Sequence, residues 1–214
     1  MTVLRTAQPG DIITFGRYSQ TADGTDQTPI PWRVLGNSGG ELFLLSHYIL
    51  DCKRYHAAFV EVTWRDCDLR KWLNDEFYTA AFDAAEQEVI KTTLCTDNGE
   101  GRPDTEDRVF LPSIAQIQDV TGLLGKEFRR AIGTPFARVK KADGCHLYVY
   151  DKSRAEDYVI ENGEKHGCSW WWLRTQPGEP SRAAFIGTRA SIRSYCRVNR
   201  VSYGVRPALI LTLR

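Results

Sequence analysis

The chain of 214 residues is 42% hydrophobic and 11% aromatic, enough to fill a sizeable core, which excludes a disordered polymer. Its formal net charge of +1 hides a split: residues 167–214 hold eight Arg, no Lys and one acid, Glu179, so that segment carries +7 and the first 166 residues −6. No run approaches the ~20 apolar residues of a membrane helix. Residues 1–11 lack the apolar stretch of a secretory signal, and six Cys without such a signal read as free, mostly buried thiols.

The first third reads as β structure. Ile12, Ile13 and Phe15 form a short apolar run. Gly24, Pro29 and Pro31 mark a loop, after which Trp32-Arg33-Val34-Leu35 alternates as a strand. Asn37-Ser38-Gly39-Gly40 before Leu42-Phe43-Leu44-Leu45 predicts a hairpin. Asp66 is placed to cap a helix carrying Leu69, Trp72, Leu73 and Phe77 on one face. Asp83 with Glu86 reads as a capping box opening a short helix through Ile90.

Residues 96–107 are polar and acidic and read as a solvated loop. Val109-Phe110-Leu111 is a buried strand candidate, and Ser113 with Gln116 caps a helix whose Ile114 and Ile117 face inward. Trp170-Trp171-Trp172-Leu173 suits a strand covered on both faces. Further strands are expected over 183–186, 190–198 and 205–213, broken by Gly187 and Gly204. Strands at both ends around a helical middle predict one α+β domain over residues 1–214, its termini sharing one sheet.

Chemical motifs are sparse. No phosphate-binding loop, dinucleotide fingerprint or nucleophile elbow is present. Cys145-His146 and His166-Gly167-Cys168 could supply four zinc ligands, but their spacing fits no strong pattern, and core Cys with surface His is the simpler reading. Asp97, Glu100, Asp104, Glu106 and Asp107 do not match an EF-hand loop, so solvation is favoured over a weak cation site. No metal, cofactor or catalytic residue is expected. A thiol enzyme would need a Cys beside a base, and nothing in the sequence selects one of the six.

The informative stretch is the C-terminal one. Ala183, Ala184, Ile186, Ile192, Val198 and Val201 form a thin apolar scaffold. Between them stand Ser181, Arg182, Phe185, Arg189, Arg193, Ser194, Tyr195, Arg197, Asn199, Arg200, Ser202 and Tyr203. Rigid Tyr, five-donor Arg and adaptable Ser and Asn are the composition of a binding surface. A merely solvated face would mix in Lys, Glu and Gln. Yet residues 180–203 contain no Lys, Glu, Gln, Met or Trp. Those five are the types that no codon ending in a pyrimidine encodes.

Several motifs carry a family resemblance over nearly the whole chain. They are Gly10-Asp11-Ile12-Ile13-Thr14-Phe15-Gly16-Arg17-Tyr18, Pro31-Trp32-Arg33-Val34-Leu35 and Leu69-Arg70-Lys71-Trp72-Leu73-Asn74. Then follow Val109-Phe110-Leu111-Pro112-Ser113, Trp171-Trp172-Leu173-Arg174 and Gly204-Val205-Arg206-Pro207-Ala208-Leu209. The chain resembles an uncharacterised bacterial and phage domain family, some of whose members resemble the variable proteins of diversity-generating retroelements. In those systems a reverse transcriptase copies a template with errors at adenines, so Asn codons become N-N-pyrimidine codons.

The resemblance implies a C-type-lectin-like fold with two or three helices, a mixed or antiparallel sheet and a loop-rich ligand face. Residues 175–203 would be the variable segment, with the twelve residues from Ser181 to Tyr203 named above as ligand contacts. Trp171, Trp172, Leu173, Ile186, Val198, Val205 and Pro207 would be scaffold, and Glu179, which no such codon encodes, would lie outside the variable set. The implied function is non-catalytic binding of a protein or cell-surface ligand, with the positive segment favouring an acidic one. Without a signal or membrane segment the chain is expected in the cytoplasm or on a phage particle.

Two other classes compete. C-type-lectin-like folds include formylglycine-generating oxidases, which use paired Cys, and Cys196 lies in the expected face without an evident partner. A nucleic-acid binder could use the Arg stripe, but no such motif is present and the sequence pI of about 7.6 argues against it.

Overall fold

The computed structural model describes residues 2–213. After a five-residue helix α1 (Thr2–Thr6) come β1 (Ile12–Tyr18), β2 (Thr28–Ser38), β3 (Glu41–Ser46) and the short β4 (Asp51–Cys52). The middle holds α2 (Asp68–Trp72), α3 (Tyr78–Ala81) and α4 (Ala84–Val89), then β5 (Thr93–Cys95), β6 (Thr105–Asp107), α5 (Ile114–Leu124) and α6 (Pro135–Arg138). The last third is β7 (Tyr158–Glu161), β8 (Glu164–Gly167), β9 (Trp171–Trp172), β10 (Arg182–Ile186), β11 (Ile192–Arg197), β12 (Gly204–Val205) and β13 (Ala208–Thr212). The class is α+β with mostly antiparallel sheets. The described α-helices number six rather than two or three; most are a single turn or little more, and only α5 reaches 11 residues.

Two sheets organise the chain, in strand orders β1-β2-β3-β13 and β11-β10-β9-β12-β4, beside the small pairs β5-β6 and β7-β8. The termini do share a sheet, since β13 pairs with β3 over Ala208↔Leu45 to Thr212↔Glu41. The expected single strand over 205–213 is split, however. β12 pairs with β4 and β9, whereas β13 pairs with β3. The chain crosses from one sheet to the other at Arg206-Pro207, where Pro offers no N–H to continue a ladder.

The β2–β3 hairpin closes on Gly39 and Gly40 with φ of 61° and 78°, between paired Ser38 and Glu41. That two-residue turn suits the strand twist and takes positive φ at both positions, which Gly adopts without strain. Pro29 and Pro31, expected in a loop, lie within β2. β3 pairs with β2 only from Trp32 onward, so the prolines sit where one side of β2 lacks a partner strand and a missing N–H loses no ladder bond. In β1 the register shifts between Thr14 and Arg17. Gly16 there has φ 66°, and a Cβ on it would lie 2.5 Å from the Phe82 ring.

Asp66 is not the helix cap. Cys67 is, its Sγ accepting from Arg70 N, while Asp66 accepts from Thr63 Oγ1. The helix then passes through a π-helical turn, Leu73–Phe77, before α3, which keeps Leu69, Leu73 and Phe77 all buried. Asn74 in that turn donates to Val109 O and accepts from Arg108 N. Both capping boxes are present in full, at Asp83 with Glu86 and at Ser113 with Gln116.

The acidic stretch is not wholly solvated. Asp107 is 1% exposed and accepts from Trp64 Nε1, Arg70 Nε and Thr105 Oγ1. Residues 109–111 are buried but make one bridge, Phe110 to Ala208, instead of a strand, because Leu111 O and Pro112 O accept from Arg174. β9 is likewise two residues rather than four, though Trp171, Trp172 and Leu173 are fully buried as expected. The buried indoles of Trp32, Trp64, Trp171 and Trp172 each donate to an oxygen, which removes the cost of burying an N–H.

The six Cys are free and buried. Cys145 lies near Asp143 and Arg54, whereas Cys168 N bonds to Asp157 O. Among the described residues, no three His, Cys, Asp or Glu gather as metal ligands. No helix among them is long and apolar enough to cross a membrane.

Candidate ligand-binding cleft

The β10–β11 hairpin builds one wall of a cleft with a volume of about 420 Å³. Its tip is closed by Gly187 N to Ser191 O and Ala190 N to Gly187 O. Ala190 takes φ 64°, a left-handed conformation costing an Ala about 1 kcal/mol. The tip is tucked inward, with Thr188 and Ala190 buried and Arg129 Nη1 donating to Ala190 O.

A register shift in the hairpin aims the side chains. Ala183 pairs with Cys196 but Phe185 with Arg193, so β11 has one extra residue. Arg193 and Tyr195 both line the cleft, and Arg193 Nη1 donates to the Tyr195 hydroxyl at 2.9 Å. Arg193 Nε also donates to Ser191 Oγ at 3.2 Å.

Aromatic rings form the floor and opposite wall. Tyr148 stacks on Trp170 at 4.6 Å, Trp170 meets Tyr203 at 5.3 Å, and Tyr203 stacks on Trp172 at 4.4 Å. Phe185 and Tyr203 are T-shaped at 5.0 Å, as are Phe185 and Tyr195 at 5.7 Å. Offset and edge contacts of this kind add to plain burial and hold the rings rigid. Phe185 and Tyr203 are therefore a buried floor, 4% and 8% exposed, rather than free side chains.

Arg193, Ser194, Tyr195, Arg197 and Arg200 are exposed. Arg197 lies over the Phe59 ring rather than over the cleft. Ser181, Asn199 and Ser202 are half-buried and do not line it. Arg182 is held by Glu179 at 2.9 Å and donates to Tyr195 O. Arg189 lines the cleft but clamps Asp157, a fully buried carboxylate, through Nε at 2.6 Å and Nη2 at 3.2 Å.

These contacts shrink the apparent +7 of the segment. Arg174 and Arg206 are buried, and Arg182 and Arg189 face carboxylates. Among the described residues, Arg193, Arg197 and Arg200 are the exposed arginines of this segment without an acidic partner.

Sequence reasoning missed Tyr150, Trp170, Thr188 and Ser191. Thr188 and Ser191 lie inside the segment already singled out, and Tyr150 of the far wall belongs to the alternation Tyr148-Val149-Tyr150, the available signal for it. The residues lining the cleft include no Asp, Glu, His, Cys or Lys. Its polar equipment is guanidinium and hydroxyl, suited to stacking and hydrogen bonding rather than to proton transfer near neutral pH. Next to the floor, burial pushes the Cys196 thiol up to about 11, so at pH 7 it is not a thiolate nucleophile.

Against known families, a model described as a domain of unknown function (DUF6273) matches residues 39–213. No curated protein and no solved structure matches the chain.

Proposed function

The chain belongs to the DUF6273 family, and from that premise we propose that it is a non-catalytic ligand-binding module whose β10–β11 face is diversified. In this reading the two sheets are a C-type-lectin-like scaffold of the kind displayed by variable proteins of diversity-generating retroelements. The ligand is a protein or cell-surface group, with acidic ligands favoured by Arg193, Arg197 and Arg200.

One observation carries the proposal. The segment that lacks all five types no N-N-pyrimidine codon can encode, residues 180–203, is also the one that supplies most of the cleft lining. Of the exposed residues in that segment, Arg189, Arg193 and Tyr195 line the cleft, and Ser194, Arg197 and Arg200 lie outside its lining. The floor supports the reading as well, because rings anchored to Trp172 hold the rim still while the rim residues change.

The test is a displayed library with N-N-pyrimidine codons at Arg193, Ser194, Tyr195 and Arg197. Each position is expected to cost within about 0.5 kcal/mol, so most clones fold and melt close to the parent. The same codons at Phe185, Tyr203 or Arg189 are expected to lose folded protein. Selection on immobilised serum albumin, an acidic protein, is then expected to yield binders altered at the rim. A library that does not fold, or that folds and never exceeds the parent in binding, counts against the proposal.

A further inference from the structure

A second cavity, of about 280 Å³, shares no lining residue with the aromatic cleft. Arg206 forms part of its wall and is 1% exposed. Its Nε donates to Ser46 O at 2.7 Å and its Nη1 to Phe128 O at 2.8 Å, both neutral carbonyls. Its guanidinium lies over the Trp171 ring. No ion pair reaches it among the described residues.

A second guanidinium faces the same space. Arg33 Nη1 donates to Gly10 O, Nη2 meets His47 Nδ1 at 3.4 Å, and Nε is buried without a partner. Burial, then the nearby Arg33 charge, pulls Arg206 down to about 9. Burial, then Arg206 and Arg33, pushes His47 down to about 4, so at pH 7 it adds no charge.

Two acids line the cavity. Glu127 is paired with Arg130, leaving Glu161 of β7, which accepts from the Tyr48 hydroxyl and lies 3.9 Å from His47 Nε2. Two cations thus face one carboxylate. Buried charge that is not balanced is costly, and an orphaned buried donor calls for a partner. The remaining wall is apolar, including Phe128 and Ile132.

We propose that this cavity binds a small organic carboxylate, its anionic group against Arg33 and Arg206 and its apolar body against Phe128 and Ile132. One uncompensated positive charge suits a monoanion, and the apolar wall suits a carboxylate with a hydrocarbon body over inorganic phosphate. Glu161 occupies part of the same field and competes with the ligand.

The experiment is calorimetric titration with benzoate, acetate and inorganic phosphate at constant ionic strength. Benzoate is expected to bind saturably. Arg33→Gln is expected to weaken it by about tenfold or more, and Glu161→Gln to tighten it several-fold. A merely structural role for these residues gives no such opposite effects. Absence of saturable benzoate binding in both the parent and Glu161→Gln overturns the proposal, as does undiminished binding by folded Arg33→Gln. Tighter binding of phosphate than of benzoate overturns the carboxylate assignment. If Arg33→Gln does not fold, Glu161→Gln decides, and unchanged benzoate affinity in that variant overturns the proposal.

Discussion

Arg174→Ala is expected to lower the stability of the domain by about 4 kcal/mol, read as a shifted midpoint in urea denaturation. Arg174 is 2% exposed. Its Nε donates to Asn98 Oδ1, its Nη1 to Leu111 O and Gln116 Oε1, and its Nη2 to Thr96 O, all within 2.6–2.9 Å. One guanidinium thus ties the segment after β9 to the acidic stretch, to residues 109–111 and to the cap of α5. Truncation takes a donor from each of these four acceptors, leaving Gln116 Oε1 its bond from Ser113 N. Arg174→Lys keeps the charge but not the planar fork, so it is expected to recover only a minor part of the loss. A loss below about 1 kcal/mol for Arg174→Ala would mean that the stretch is held by other contacts.

Trp172→Ala is expected to cost about 4 kcal/mol, with the same readout. Trp172 is fully buried, its Nε1 donates to Lys53 O at 2.9 Å, and its ring packs against Tyr55 and Tyr203. The substitution leaves a large cavity and an unpaired carbonyl. It also removes the support under Tyr203, and with it the floor of the cleft. Trp172→Phe keeps a ring and loses the N–H, so it is expected to cost less than half as much. If Trp172→Ala melts like the parent, the aromatic floor is not the anchor of the candidate face.

What the sequence reveals directly is local. Asn37-Ser38-Gly39-Gly40 and the two capping boxes act through neighbours a few residues away, and each forms as expected. What it hides depends on distant partners. Asp107 looks like one more solvated acid until Trp64 and Arg70 are brought to it. Arg189 looks as variable as Arg193 until Asp157, 32 positions earlier, is found buried beneath it. Pro29 and Pro31 read as loop because the one-sided start of β2 is a property of the sheet, not of the segment. The candidate face was legible because its signal is compositional, spread over residues 180–203. Its opposite wall was not, because Tyr150 and Trp170 come from a separate stretch of chain.

The central claim is that the exposed rim of β10–β11 was written by adenine-directed copying. The most direct measurement is the nucleotide sequence of the gene and its surroundings. The account predicts codons ending in C or T for Arg193, Ser194, Tyr195, Arg197 and Arg200, and a nearby copy of this stretch. In that copy the same positions read AAC or AAT, while the codons for Ala183, Ile186 and Val198 are unchanged. Purine-ended arginine codons at these positions, or a copy that differs at bases other than adenine, would contradict it.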